Sequence, residues 1–105
     1  MLESPPVSNI NDLVEYQSES VVSKTLIKGE KGSITLFAFE QGQGLSEHTA
    51  PFDAFVHVTD GEAEVTVAQE SQVVQAGQMI ILPANKPHAL QAVVPFKMVL
   101  VMVRG

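Results

Sequence analysis

The sequence predicts an all-β domain, a barrel or sandwich of short strands. Three observations predict it. Short apolar, β-branched runs follow one another from residue 20 to the end. Clusters of Gly, Pro, Asn and Asp separate them. No segment sustains the 3.6-residue period of an amphipathic helix.

The elements follow in chain order. Residues 1–19 read as an N-terminal arm, because Pro5-Pro6 fits neither a regular helix nor a central strand. Asn9 to Glu15 has room for one helical turn, with Asn9 or Asn11 as its N-cap. The barrel is expected over 20–105. Val21–Ile27 is a strand that ends at the turn cluster around Gly29 and Gly32. Ser33–Phe39 is a second strand, closed by Gly42 and Gly44. Phe55–Val58 leads into Thr59-Asp60-Gly61, and an Asp-Gly pair between apolar runs signals a hairpin. Glu62–Val67 alternates polar and apolar residues, as a half-buried strand does. Gln69–Gln72 turns the chain, and Val73-Val74 re-enters the sheet. Met79–Leu82 is closed by Pro83, and His88–Val94 by Pro95. Phe96–Val103 is the last strand. Lys97 prefers water, so Phe96, Met98, Leu100 and Met102 are expected inward, with Val99, Val101 and Val103 outward.

Composition narrows the function classes. The 105 residues fit one domain, and 45% are hydrophobic, enough for a real core. There is no cysteine, hence no disulfide, thiolate nucleophile or thiolate metal site. Net charge is −6 with six basic residues, which disfavours a nucleic acid partner. No apolar run approaches the roughly 20 residues of a membrane-spanning helix. The N-terminus shows no basic region followed by an apolar core, so a cytoplasmic location is expected. No Gly-x-Ser-x-Gly elbow or phosphate-binding glycine loop supports hydrolysis or nucleotide binding.

Two punctuated segments carry the chemistry. The first runs from Gly42 through His48, Ala50 and Ala54 to Gly61, the second from Gly77 through Pro83 and Asn85 to His88. Their spacing resembles the two motifs of the cupins, a family of small jelly-roll barrels built as a double-stranded β-helix. Gly42, His48 and Gly61 match the first motif, while Gly77, Pro83 and His88 match the second. The resemblance implies a cupin barrel with a site at its mouth. Metal-using members hold the ion with His-x-His, a Glu and the second-motif His. Here His48 and His88 stand at two of those positions, Ala50 at the second His and Ala54 at the Glu. Asn85 replaces a family glycine, and Asn tolerates the left-handed backbone. Ala92 stands at the terminal Asn.

His48 and His88 are therefore the expected metal ligands, for Zn, Ni, Fe, Mn or Cu. Ala50, Ala54, Leu90, Phe96 and Met98 are the expected pocket walls. Asp53 neighbours the Glu position; strand alternation turns it away, as a loop carboxylate in solvent or capping a turn, and the alternative is a bulge at Pro51 that re-aims it as a ligand. His57 and Glu47 are also expected to face away, His57 on the outer sheet or a subunit interface. The doubly apolar strands 33–39 and 96–103 imply a homodimer, with the arm free to drape over the partner barrel. The functional expectation is a pocket for a small-molecule ligand, with or without metal. The alternative is a metal-dependent dioxygenase, isomerase or decarboxylase acting on a small carbonyl or phenolic compound. A metal-free epimerase would use His48 or His88 as base, but Tyr16, the only tyrosine, lies outside both motifs.

Overall fold

The computed structural model describes residues 6–104. Its regular structure is almost entirely β. The strands are β1 (Val21–Gly29), β2 (Gly32–Phe39), β3 (Gly44–His48), β4 (Asp53–Val67), β5 (Glu70–Gln75), β6 (Met79–Leu82), β7 (His88–Gln91) and β8 (Phe96–Val103). All pair antiparallel. One sheet has the order β1-β2-β8-β4-β6 and the other β3-β7-β4-β5. The two sheets share β4 and face each other across the core.

The Asp60-Gly61 pair is not a hairpin turn. β4 continues through it. The register against β8 slips between Val58 and Asp60, which is a β-bulge. Before the slip the buried residues are Ala54, Val56 and Val58; after it they are Ala63 and Val65. The extra residue shifts the alternation from even to odd positions, so both halves still face the core. Beyond Gly61 the strand exchanges its partner β8 for β5 and β7. In sequence, this phase change between two apolar runs mimics a turn. Gly61 sits at φ 69°, and a Cβ there would press into the Pro95 carbonyl oxygen. Glycine is needed for both reasons.

β8 places Phe96 and Met98 in the core, with Leu100 and Met102 packed against it. That is the inward set expected from Lys97. The Phe96 ring stacks on Phe39 with centroids 4.5 Å apart. Leu36, Ala38 and Val99 face the other side of the first sheet.

Residues 6–20 cover part of that outer side of their own barrel. Ile10–Asp12 forms a 3-10 turn; Asn9 holds the cap position but makes no side-chain cap bond. Val14 is buried against Leu36 and Ala38, worth about 1.5–3 kcal/mol. Asn11 instead donates to the Thr59 carbonyl at 2.9 Å. The Tyr16 hydroxyl donates to the Asp60 carboxylate at 2.5 Å. Lys97 donates to the Asn11 carbonyl and lies 5.0 Å from the Tyr16 ring centre. Burial, then the Asp60 carboxylate, push the Tyr16 phenol far above its usual range. The arm thus clamps the β4 bulge. Residues 1–5, with Pro5, lie outside the described residues.

The remainder of the outer side carries an apolar row across five strands. Cross-strand register aligns Ile27, Ile34, Val101, Phe55 and Ile81. Ile27 and Ile81 at its ends are 44% and 46% exposed.

Gly77 is also in the left-handed region, at φ 91°, but a Cβ there would meet nothing within 4 Å. Gly77→Ala should therefore cost only the left-handed penalty, about 1–2 kcal/mol. Gly61→Ala adds the collision with Pro95 and should cost about 2–5 kcal/mol. Urea unfolding midpoints of the two variants measure the difference; equal losses would mean that the bulge does not require the close approach.

Candidate functional site

His48 ends β3 and His88 begins β7, and the register pairs them directly. Their approach depends on an irregularity. Leu45 pairs with Leu90 and His48 with His88, so β3 spends one more residue than β7 between the two pairs. Without that extra residue, alternation would turn His48 away from the side that Leu45 faces. Across the mouth, Asn85 at φ 64° reverses the loop before His88, the conformation expected where the family has glycine. The Asn85 backbone N–H donates to the Ala50 carbonyl at 2.7 Å. Asp53 accepts from the Ala84 backbone N–H at 2.8 Å. Its carboxylate therefore ties the first motif to the second, the loop role expected for it.

The two imidazoles meet edge to face, with ring centres 4.3 Å apart at 72°. His88 is 6% exposed, while His48 opens to solvent. His48 Nδ1 lies 2.7 Å from the Ser46 carbonyl and His88 Nδ1 lies 3.2 Å from the Lys86 carbonyl. A carbonyl only accepts, so these two contacts, taken as hydrogen bonds, assign the proton of each neutral ring to Nδ1. In the neutral rings both Nε2 atoms are then lone-pair acceptors, and they face each other at 3.1 Å. Two acceptors at that distance repel unless something positive joins them. A shared proton does so; a metal ion bound to both nitrogens does so as well. At a usual metal–nitrogen distance of about 2.0–2.1 Å, the observed separation subtends roughly 100° at the ion. The pair thus fits two adjacent ligand positions.

The pair stands at the mouth of a cavity of about 60 Å³. Ala50, Ala54, Leu90 and Met98 line it, as expected, together with Leu45, Phe52, Leu82, Leu100 and Met102. Phe96 does not. It shares the inward face of β8 but lies deeper, stacked on Phe39. Leu45, Phe52, Leu82, Leu100 and Met102 were not among the expected walls; the only sequence signal for Phe52 is an aromatic residue between Pro51 and Asp53 in the first motif. The Arg104 guanidinium lies 5.2 Å from its ring centre. The two alanines did not open a large pocket, because Phe52, Met98 and Met102 fill the space. A typical ligand pocket measures about 300–1,000 Å³, so only a few ligand atoms fit inside.

His57 sits on the outer side of the first sheet, paired with Val99 and Met79, away from the cavity. Glu47 is exposed. Among the described residues, no three His, Cys, Asp or Glu side chains form a metal-holding group. Also among them, no helix is long and apolar enough to cross a membrane.

The cupin-domain family model matches residues 35–104, and the chain belongs to that family. Solved structures place it among small single-domain cupins. A conserved protein of unknown function from Streptococcus pyogenes is 38% identical, over 99% of this chain and 91% of that one, with a TM-score of 0.93. A cupin 2 conserved barrel domain protein from Leptotrichia buccalis is 40% identical with a TM-score of 0.86; the match covers 89% of this chain but 45% of that protein. A cupin superfamily protein from Desulfitobacterium hafniense is 25% identical, over 99% and 94% of the two chains, with a TM-score of 0.89. No curated protein matches the chain significantly.

Burial, then the neighbouring His48, lower the His88 pKa from its usual 6.5, against a smaller upward pull from the Lys86 carbonyl. The folded state therefore binds fewer protons than the unfolded chain as pH falls below that value. Stability is at its full value above pH 6.5 and declines as pH falls toward the folded pKa. Urea midpoints of metal-free protein should drop between pH 7.5 and 5.5, and drop less in His88→Leu. An equal decline in both would remove His88 as the source.

Proposed function

We propose that this cupin is a small-ligand binding protein whose His48–His88 pair holds a first-row transition metal ion at the barrel mouth. The observation that carries the proposal is the pair of facing Nε2 acceptors, each fixed by a carbonyl behind its ring. Zn, Ni, Fe, Mn or Cu accept imidazole nitrogen. A bound ion would supply a Lewis acid with open positions for a ligand. The chain's own residues do the rest. Ser46 and Lys86 carbonyls aim the rings. Ala50 and Ala54 leave the ion's inner side without a charged ligand. The apolar wall of Leu82, Leu90 and Leu100 excludes water and admits only a small part of the ligand.

Metal content by plasma mass spectrometry tests this on protein purified without chelator. Near one metal per chain is expected, with loss in His48→Ala/His88→Ala while circular dichroism still reports a folded barrel. Equal metal in both proteins would overturn the site; unfolding of the variant would make the histidines structural.

The same proposal includes a homodimer. The support is the uncharged row of Ile27, Ile34, Val101, Phe55 and Ile81, which the arm leaves uncovered. A second copy offers a matching apolar face, and two sheets pack face to face about 10 Å apart. Light scattering at micromolar concentration should give twice the mass of one chain, and Phe55→Glu/Val101→Glu should halve it. A wild-type monomer would sink the dimer.

A further inference from the structure

On the metal reading of the pair, His48 and His88 would supply two ligands, and the cavity wall is where a third protein ligand would come from. The wall contains one other kind of donor atom, the methionine thioether, at Met98 and Met102. Their positions differ. Met102 pairs across the sheet with Ala54, the residue at the family's Glu ligand position. Both face the cavity, so Met102 borders the space that a glutamate would take. Met98 pairs with Val58 and is 1% exposed. It lies four residues back along β8, toward the Phe39–Phe96 stack, a rise of about 13 Å. Methionine has three rotatable side-chain bonds, so its sulfur can move without shifting the strand.

We propose that Met102 is the third ligand and that the site prefers monovalent copper. The assignment rests on the metal reading of the histidine pair given above. Two physical arguments select the ion. First, thioether sulfur is a soft, neutral donor, which suits Cu(I) better than the harder Ni, Fe or Mn ions. Second, every available ligand is neutral. Ala54 brings no carboxylate, and no acidic group joins the two histidines to make a metal cluster among the described residues. The cost of burying an ion beside an apolar wall rises with the square of its charge, so a neutral ligand set favours a single charge over two. Two nitrogens and one sulfur would give Cu(I) the low coordination number it accepts and still leave a position for a small ligand. The double replacement at Ala50 and Ala54 thus changes the class of ion rather than merely weakening the site.

The experiment is an anaerobic titration of metal-free full-length protein with Cu(I) presented by bicinchoninate, alongside a Zn(II) titration. The proteins are wild type, Met102→Leu, Met98→Leu and His48→Ala/His88→Ala, with Met79→Leu on the outer side of β6 as control. Leucine keeps the volume of the wall. Wild type should take one Cu(I) in preference to Zn(II). Met102→Leu should weaken Cu(I) binding by about tenfold or more, leaving Zn(II) binding little changed. X-ray absorption at the copper edge should show a sulfur neighbour in wild type and none in Met102→Leu. Zn(II) binding that needs the histidines, with Cu(I) unaffected by Met102→Leu, overturns the proposal but keeps the histidine site. Loss of the sulfur signal in Met98→Leu instead also overturns it. Failure of wild type to bind either ion overturns both.

Discussion

β4 has to serve two sheets at once. Its first half pairs with β6 and β8, its second half with β5 and β7. A single strand can do that only if its core-facing side is reset where the sheets part. The bulge at Val58–Gly61 performs the reset, and glycine makes it sterically open. The clamp of Asn11 and Tyr16 then holds the bulge from outside through Thr59 and Asp60. The barrel mouth inherits its geometry from this arrangement. Ala54 reaches the mouth from one half of β4, while Val67 in the other half is the direct neighbour of His88.

The histidine pair is a second constraint of the same kind, a local irregularity fixed by backbone. The extra residue in β3 and the left-handed Asn85 bring the rings together. The carbonyls of Ser46 and Lys86 decide which nitrogen of each ring is free. No side chain has to move for both Nε2 atoms to be presented. Such preorganisation lowers the cost of filling the gap between them. The surrounding wall is neutral and apolar, so the charge of an ion held as proposed would matter more here than in a site with a carboxylate.

Much of this was legible from the residues. The spacing of Gly42, His48, Gly77, Pro83 and His88 indicated the family, and the two motif histidines meet in the structure. Lys97 alone fixed which side of β8 faces inward, because a charged residue reports the solvent side of an alternating strand. The β4 bulge was not legible: Asp-Gly between apolar runs is compatible with a turn or a bulge, and only the partner strands distinguish them. Phe96 has the correct facing but the wrong depth, a coordinate that alternation does not contain. Met102 beside Ala54 and the Phe52 wall were equally hidden, since cross-strand register and loop path are long-range properties.

The cross-ties at the mouth have a kinetic consequence. Asp53 to Ala84 and Asn85 to Ala50 lace the rim on the side of the first and second motifs. On the binding reading proposed above, a rim laced in this way would let a small ligand reach the cavity without slow loop opening. Phe52 lines the same mouth, with the Arg104 guanidinium 5.2 Å from its ring centre. Rotation of a half-buried side chain is far faster than the microsecond-to-millisecond motions of lids. Entry and exit should then follow the encounter rate, and residence time should depend on what the occupant binds inside rather than on a closing door.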